Sequence, residues 1–289
     1  MKHIAIIGLG LMGGSLGLAL KGKGYRGRVT GYTRSPERRA TALNRGAVDA
    51  VFDEPGKAVA GADVVVYCAP ILIIPGLVRE TLPFLKPRCT ATDVGSTKAQ
   101  LVKDIGVLTK GTQTVFVGSH PIAGSEQQGI DAARAGLYEG STVVITPVAD
   151  TPAVVVAQVE SLWRSVGAVV HRMAPEEHDR TMALTSHLPH LAASLLAATV
   201  GRGGGDKRLA AFCGPGFRDT TRVAEGPPEI WDDILKTNHE QVLVELKAFG
   251  RELQDLVAVL ERGDFAAVTT FLEKSRAARR ALAGGREAF

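Results

Sequence analysis

His3-Ile4-Ala5-Ile6-Ile7-Gly8-Leu9-Gly10-Leu11-Met12-Gly13, continued by Gly14-Ser15-Leu16-Gly17-Leu18-Ala19-Leu20-Lys21, decides how the rest of the chain is read. A short apolar run rich in isoleucine has the character of a buried strand, and the Ala/Leu-rich stretch after the glycines has that of a helix. Gly8, Gly10 and Gly13 stand between them in the spacing G-x-G-x-x-G. In that context the first glycine permits a tight turn, the second lets the backbone approach a pyrophosphate, and the third allows close helix packing. The N-terminus of the helix then faces the anion. Gly8, Gly10, Leu11, Met12 and Gly13 are therefore candidate dinucleotide-binding residues.

Outward from this unit the first half keeps a strand–helix rhythm that argues for a parallel sheet covered on both faces. Arg28–Tyr32, Ala62–Ala69, Thr90–Val94, Thr114–Gly118 and Thr142–Pro147 are the further expected strands. Gly14–Lys21, Pro36–Arg45, Ile73–Leu85 and Lys98–Ile105 are expected helices, with Ser35-Pro36 forming an N-cap and first-turn pair. Ala153–Val166 and Ala168–Arg172 complete the domain. From Pro175 the strand signals fade, and Glu177–Thr185, Leu188–Val200, Pro228–Phe249 and Asp264–Ala283 carry helical periodicity. The expectation is a Rossmann-type, doubly wound α/β domain over 1–173 followed by an all-α domain over 174–289. Gly201–Gly205 has no strand before it and is read as a connection between helices.

The composition narrows the function classes. At 289 residues and 45% hydrophobic content the chain can bury a sizeable core. A net charge of +4 without a basic run interleaved with aromatics disfavours nucleic acid and leaves anionic small molecules as partners. Cys68, Cys89 and Cys213 are far apart and lack C-x-x-C spacing, which favours a reducing cytoplasm. No signal segment or membrane-length apolar run is present, and the lack of sequence beyond Phe289 argues against a fused regulatory domain.

The second strand ends Gly31-Tyr32-Thr33-Arg34-Ser35, where a carboxylate would hold an adenosine ribose 2′-hydroxyl. Thr33, Arg34 and Ser35, with Arg38 and Arg39 one turn on, suit a 2′-phosphate instead and favour NADP over NAD. The alternative is that Arg34 stacks on adenine and the other arginines form a solvated face.

Three more segments carry polar groups that a core does not need. Asp93-Val94-Gly95-Ser96-Thr97-Lys98 and Gly118-Ser119-His120-Pro121-Ile122-Ala123-Gly124-Ser125-Glu126 each follow an expected strand, the second placing its histidine in a loop. His178-Asp179 and Thr185-Ser186-His187-Leu188-Pro189-His190 lie in the helical half, joined by Gly216-Phe217-Arg218-Asp219-Thr220-Thr221-Arg222. With the glycine-rich start these segments, in this order and across nearly the whole chain, resemble the prephenate/arogenate dehydrogenases.

The resemblance implies oxidative decarboxylation of a cyclohexadienol by an NAD(P)-dependent homodimer whose helical domain dimerises. It implies that His120 hydrogen-bonds the ring hydroxyl as the catalytic group, that Ser96 orients it, and that Arg222 grips a substrate carboxylate. His187 and His190 line the site, Ser125 and Glu126 lie at its entrance, Asp219 tethers the arginine, and Trp231 reaches toward the partner subunit's site. One departure is Ala224-Glu225-Gly226-Pro227-Pro228, where the family often has a serine or threonine after that arginine.

Rival readings are a hydroxyacid dehydrogenase of similar build and a non-catalytic nucleotide sensor. The first usually needs a helical lysine, and Lys207, Lys236 and Lys247 sit in no such recognisable run; the second has no need of His120, His190 and Arg222 together. A metal site at His178, Asp179, His187 and His190 lacks H-E-x-x-H spacing and is interrupted by Pro189. No metal is expected. His3, His171 and His239 are read as structural, and His178 stays ambiguous.

Overall fold

The computed structural model describes residues 1–123, 127–202 and 207–284. The expected site residues Ser125 and Glu126, and residues 203–205 of the glycine-rich connection, lie outside the described residues. In chain order the first unit runs β1 His3–Ile7, α1 Leu11–Gly22, β2 Arg28–Tyr32, α2 Pro36–Asn44, β3 Ala50–Phe52, α3 Pro55–Val59, β4 Val64–Tyr67, α4 Ile74–Thr81, β5 Thr90–Asp93, α5 Ala99–Thr109 and β6 Val115–Phe116. The strands form a parallel sheet of order β3-β2-β1-β4-β5-β6, with the strand order reversing between β1 and β4. This is the doubly wound arrangement that the opening motif predicts.

The period-two alternation of the central strands explains why both faces are covered. Ile4, Ile6, Val64 and Val66 pack on one side with Leu16, Ala19 and Leu20 of α1 and with Val156, Val159, Leu162 and Trp163. Ala5, Ile7, Val65 and Tyr67 face the other side, against Ala58 and Val59 of α3, Ile74 and Val78 of α4, and Leu101, Val102 and Ile105 of α5. Each such fully buried aliphatic side chain contributes roughly 1.5–3 kcal/mol, so the centre of the sheet is the rigid part of the scaffold. β3 escapes the sequence reading because it is three half-buried residues at the sheet's edge.

The remaining strands correct the expectation of one parallel sheet. β7 Gly118–Pro121, β8 Thr142–Thr146 and β9 Val169–Arg172 form a separate sheet, with β7 antiparallel to β8 and α6 Ala153–Ser165 between β8 and β9. The expected strand Thr114–Gly118 is thus two: the chain leaves the first sheet after Phe116, and Gly118 opens the next. A Cβ at Gly118 would stand 2.5 Å from Thr146 Oγ1 and 3.1 Å from Lys98 Cδ, so only glycine fits this crossing. His120 accordingly lies in a strand, paired with Val144, and not in a loop.

The helical part begins with α7 Pro175–Met182, passes through a π-helical turn Ala183–His187, and continues as α8 Leu188–Gly201. α9 Lys207–Ala210, α10 Pro215–Thr221, α11 Pro228–Glu261 and α12 Phe265–Gly284 follow, α11 being interrupted at Asn238 (φ −137°, ψ 23°). By contacts the chain divides into compact units Met1–His239 and Glu240–Phe289. Within the first unit, α7 is tied to the start of α5 by the hydrogen bonds of Asp179. No helix among the described residues is long and apolar enough to cross a membrane.

Candidate active site

The glycine fingerprint sits at the carboxyl end of β1, beside the point where strand order reverses. Gly8 has φ +110° and its Cβ would stand 2.1 Å from the Cys68 carbonyl oxygen, so both the turn and the packing against β4 require glycine. At Gly13 a Cβ would lie 1.9 Å from the Gly8 carbonyl oxygen, which closes the turn against α1. Gly10 differs: nothing lies within 4 Å of its Cβ position, so the protein itself does not demand glycine there. It is the N-cap of α1, with no side-chain cap and no acidic residue in the first turn. The first N–H groups of α1, around Leu11 and Met12, are left for an outside acceptor. Tyr138 Oη fixes the loop by donating to the Met12 carbonyl at 2.7 Å. A dinucleotide pyrophosphate fits these residues.

At the end of β2 Thr33 is buried, its N–H donating to the Phe52 carbonyl at 3.3 Å. Ser35 caps α2 by accepting from Arg38 N at 3.1 Å and donates to Glu37 at 2.6 Å, so its hydroxyl is already committed. Arg39 donates to the carbonyls of Thr33 and Arg34 at 3.1 and 3.0 Å, while Arg34 and Arg38 are exposed. Of the expected group, Arg34 and Arg38 keep free reach toward a nucleotide.

The second cluster is built around the loop after β5. Asp93 is fully buried and pairs with the equally buried Lys98; it also accepts from Gly95 N at 2.7 Å and Ser119 N at 2.9 Å. A buried ion pair is weak evidence of stability, but one saturated with backbone donors fixes geometry. Here it ties the Ser96 loop to β7. Burial lowers the Lys98 pKa, with Asp93 opposing the shift.

His120, the one partly exposed residue of β7, follows Ser119 directly. Its Nδ1 lies 2.9 Å from Nε2 of His178, whose Nδ1 lies 2.8 Å from Asp179 Oδ1. Asp179 accepts from the N–H groups of Lys98 and Ala99 at 2.7 and 2.9 Å, at the start of α5. Enclosure holds the His120 pKa well below the usual histidine value, with His178, Lys98 and His187 adding to the shift, so the ring is neutral at physiological pH. His178 is lowered as well, first by burial, against the pull of Asp179.

The π-helical turn places His187 and His190 on one side of the helix pair, as such insertions often do at functional sites. Trp231 stands between them, edge-on to His187 at 6.0 Å and stacked on His190 at 3.4 Å and 11°. Within the chain itself, Trp231 is held by its stacking on His190. A Cβ at Gly226 would come within 2.7 Å of Trp231 Nε1, so the indole leaves room for glycine alone at this position. His187 is pushed down to about 4 by burial. Burial lowers the His190 pKa, a hydrogen bond to the Val223 backbone opposing the shift, and its buried Nδ1 has no partner among the described residues. That nitrogen is a ready acceptor for a ligand donor. Arg222 and Asp219 are both exposed, and the expected tether is not among the ion pairs of the described residues.

Structure therefore joins the loop that carries Ser96 with His120 and His187 through residues that received no role from the sequence: Asp93, Lys98, His178, Asp179 and Asn238. Asn238 Nδ2 donates to the Asp179 carbonyl at 2.8 Å and lies 3.3 Å from His187 Nδ1. Only the clustering of polar residues after two strands could have hinted at them. Among the described residues no group of three or more His, Cys, Asp or Glu side chains is arranged to hold a metal ion.

Comparison with known proteins agrees with this organisation. Residues 16–172 match the family model for the nucleotide-binding domain of prephenate dehydrogenase, and 174–274 that for its dimerization domain. A cyclohexadienyl dehydrogenase of Zymomonas mobilis is 36% identical over 97% of this chain and 96% of its own length. The structure of prephenate dehydrogenase from A. aeolicus, in complex with hydroxyphenyl propionate and NAD+, superposes with a TM-score of 0.91 at 31% identity, covering 98% of both chains. Arogenate dehydrogenase of Synechocystis gives 0.83 at 27% identity, covering 97% of this chain and 99% of the other.

Proposed function

Because the chain belongs to the prephenate dehydrogenase family, we propose that it oxidises and decarboxylates prephenate, arogenate or both, giving 4-hydroxyphenylpyruvate or tyrosine. The observation that carries this reading is His120: a neutral imidazole at the carboxyl ends of the strands, beyond the same sheet end that holds the glycine fingerprint. In this reading residues 1–173 bind the nucleotide and 174–289 form the helical domain.

When bound, the nicotinamide nucleotide supplies the hydride acceptor. His120 takes the proton of the ring hydroxyl as hydride leaves the carbinol carbon, a role to which a neutral imidazole is suited. The carboxylate para to that carbon leaves as CO2, and the electrons of the broken bond complete the aromatic ring. The proton then returns to the phenolate oxygen, so no net proton is released. Ser96 orients the hydroxyl, and Arg222 holds the side-chain carboxylate through its two-pronged guanidinium. His187 and His190 line the site, Trp231 reaches toward the partner subunit's site, Asp219 tethers Arg222, and the family resemblance puts Ser125 and Glu126 at the entrance.

NADP is the favoured nucleotide, since β2 ends without an acid and Arg34 and Arg38 stand free beside it. NAD is a second reading with its own support. The register that pairs Tyr32 with Phe52 sets Asp53 beside Thr33, an acid one strand over from the usual place. Leu243, Leu246, Phe249, Leu253, Val257 and Leu260 recur at helical spacing along α11 and are exposed, an apolar stripe that suits a homodimer. The three free cysteines suit a reducing cytoplasm. Steady-state rates with both cyclohexadienols and both nucleotides test the reading, and no turnover with any combination would sink it. Light scattering should give twice the chain mass; a monomer at micromolar concentration refutes the dimer.

A further inference from the structure

The hydrogen-bond chain behind His120 determines where its proton sits. As a carboxylate, Asp179 can only accept, and Oδ1 already takes the Lys98 N–H while Oδ2 takes that of Ala99. The proton between Asp179 Oδ1 and His178 Nδ1, 2.8 Å apart, therefore belongs to His178 Nδ1. A neutral imidazole carries one N–H, so His178 Nε2 is a bare lone pair. That lone pair faces His120 Nδ1 at 2.9 Å and needs a donor there. His120 Nδ1 then holds the ring's only proton, and its Nε2 is bare.

We propose that His178 and Asp179 are positioning residues that fix the tautomer of His120, so that Nε2 is presented as a proton acceptor. The inference rests on the dehydrogenase reading for the identity of the proton that Nε2 receives. It assigns a function to two buried residues that act through His120. A histidine pair without the carboxylate would populate both tautomers, and in the wrong one Nε2–H could donate but could not accept.

The surrounding charges agree with this. The charged and titratable groups acting on His120 are His178, Lys98 and His187, and those acting on His178 are Asp179, Lys98 and Asp93. Lys98 is neutralised by Asp93, so at rest nothing but the distant carboxylate favours a cation, and burial keeps the ring neutral. When Nε2 takes the hydroxyl proton, the Nδ1–H is already donated into His178 and onward to Asp179. The transient cation thus forms with its counter-charge in place, without side-chain movement.

The test is nitrogen NMR of protein labelled with 15N-histidine, at pH 7.5 and without substrate. His120 should show a protonated Nδ1 and a bare Nε2, assigned by comparison with His120→Asn. Asp179→Asn removes the charge and sets an amide NH2 against one of the backbone N–H groups of Lys98 and Ala99, so nothing any longer fixes the proton on His178 Nδ1. His120 should then populate both tautomers, and kcat should fall about 10²- to 10⁴-fold, the upper figure being that of the same change in a serine-protease triad, while KM moves only a few-fold. Should Asp179→Asn fail to fold, because Asp179 also caps α5, His178→Gln and His178→Leu serve in its place. The glutamine oxygen still accepts from Nδ1, so it should retain at least tenfold more kcat than leucine. A wild-type His120 protonated on Nε2, or equal kcat for glutamine and leucine, overturns the relay. Because the NMR result needs no substrate, failure of the relay is distinguishable from failure of the dehydrogenase reading, which shows as absent turnover.

Discussion

Replacing glycines of the fingerprint one at a time separates the demands of the fold from those of the ligand. In Gly13→Ala the new methyl would stand 1.9 Å from the Gly8 carbonyl oxygen and 2.9 Å from Ile6 Cγ2, both in the rigid β1–α1 unit. Alanine gains roughly 0.5–1 kcal/mol over glycine inside a helix, but overpacking a dense interior costs about 1–3 kcal/mol, more where backbone must move. The expected net loss is about 1–2 kcal/mol, or roughly 2–8 °C in Tm for a chain of this size. Gly10→Ala meets no protein atom within 4 Å, and φ −94°, ψ −153° is open to any L residue. As an N-cap change it should cost at most about 1 kcal/mol. Its methyl, however, projects where a pyrophosphate must approach the α1 N–H groups. A steric loss of about 1–3 kcal/mol there weakens binding roughly 5- to 150-fold, at tenfold per 1.4 kcal/mol. Thermal melts and fluorescence titration with reduced nucleotide measure both quantities on the same samples. If Gly10→Ala binds nucleotide as tightly as the parent, the α1 N-terminus is not the anion site and the reasoning fails.

Three further outcomes follow from the same geometry. Arg222→Ala should raise KM for the cyclohexadienol strongly and change kcat less, since a guanidinium gripping a carboxylate away from the reacting carbon acts alike in ground and transition states; an unchanged KM removes it from the site. Thr33→Asp should strengthen NAD and weaken NADP through the 2′ position, read as kcat/KM for each nucleotide. If the parent already prefers NAD tenfold, Asp53 and not Thr33 sets the choice. Folding stability should fall as pH drops from about 6.5 to about 4, because His187 is buried neutral with its pKa pushed down to about 4, and the unfolded chain binds the proton more readily. Urea melts across this window check it: His187→Gln should flatten the slope, and an equal slope in the variant would assign the acid sensitivity to other groups.

How much of the protein was legible in the sequence follows from the range of the forces involved. Local signals sufficed where one residue's neighbours decide its state. The β1–turn–α1 unit, the Ser35-Pro36 start of α2 and the helical periodicity after Pro175 were all readable, because alternation, capping and glycine geometry act within one or two turns of chain. The stretch Ala224–Pro228 was visible as a departure, but the indole of Trp231 at contact distance from Gly226 within it was not. Short elements with little to bury, such as β3, gave no pattern to detect. The crossing at Gly118 was equally hidden, since a strand that changes sheets keeps the same alternation on both sides of the change. It is this crossing that puts His120 in a strand and turns its ring toward α7.

The chemistry of that ring was decided only by tertiary structure. The sequence supplied His120, His178 and Asp179 as candidates, two of them side by side and the third 58 residues earlier. A hydrogen bond between two imidazoles depends on a few tenths of an ångström, set by the Asp93–Lys98 pair, the capped start of α5 and the Asn238 side chain at a bend in α11. Those partners stand on separate elements far apart along the chain, and no local rule links them. Sequence determined which groups were available and which strand end would hold the nucleotide. Packing determined which nitrogen carries a proton, because only the folded chain brings the carboxylate, the two rings and the buried charges within hydrogen-bonding distance.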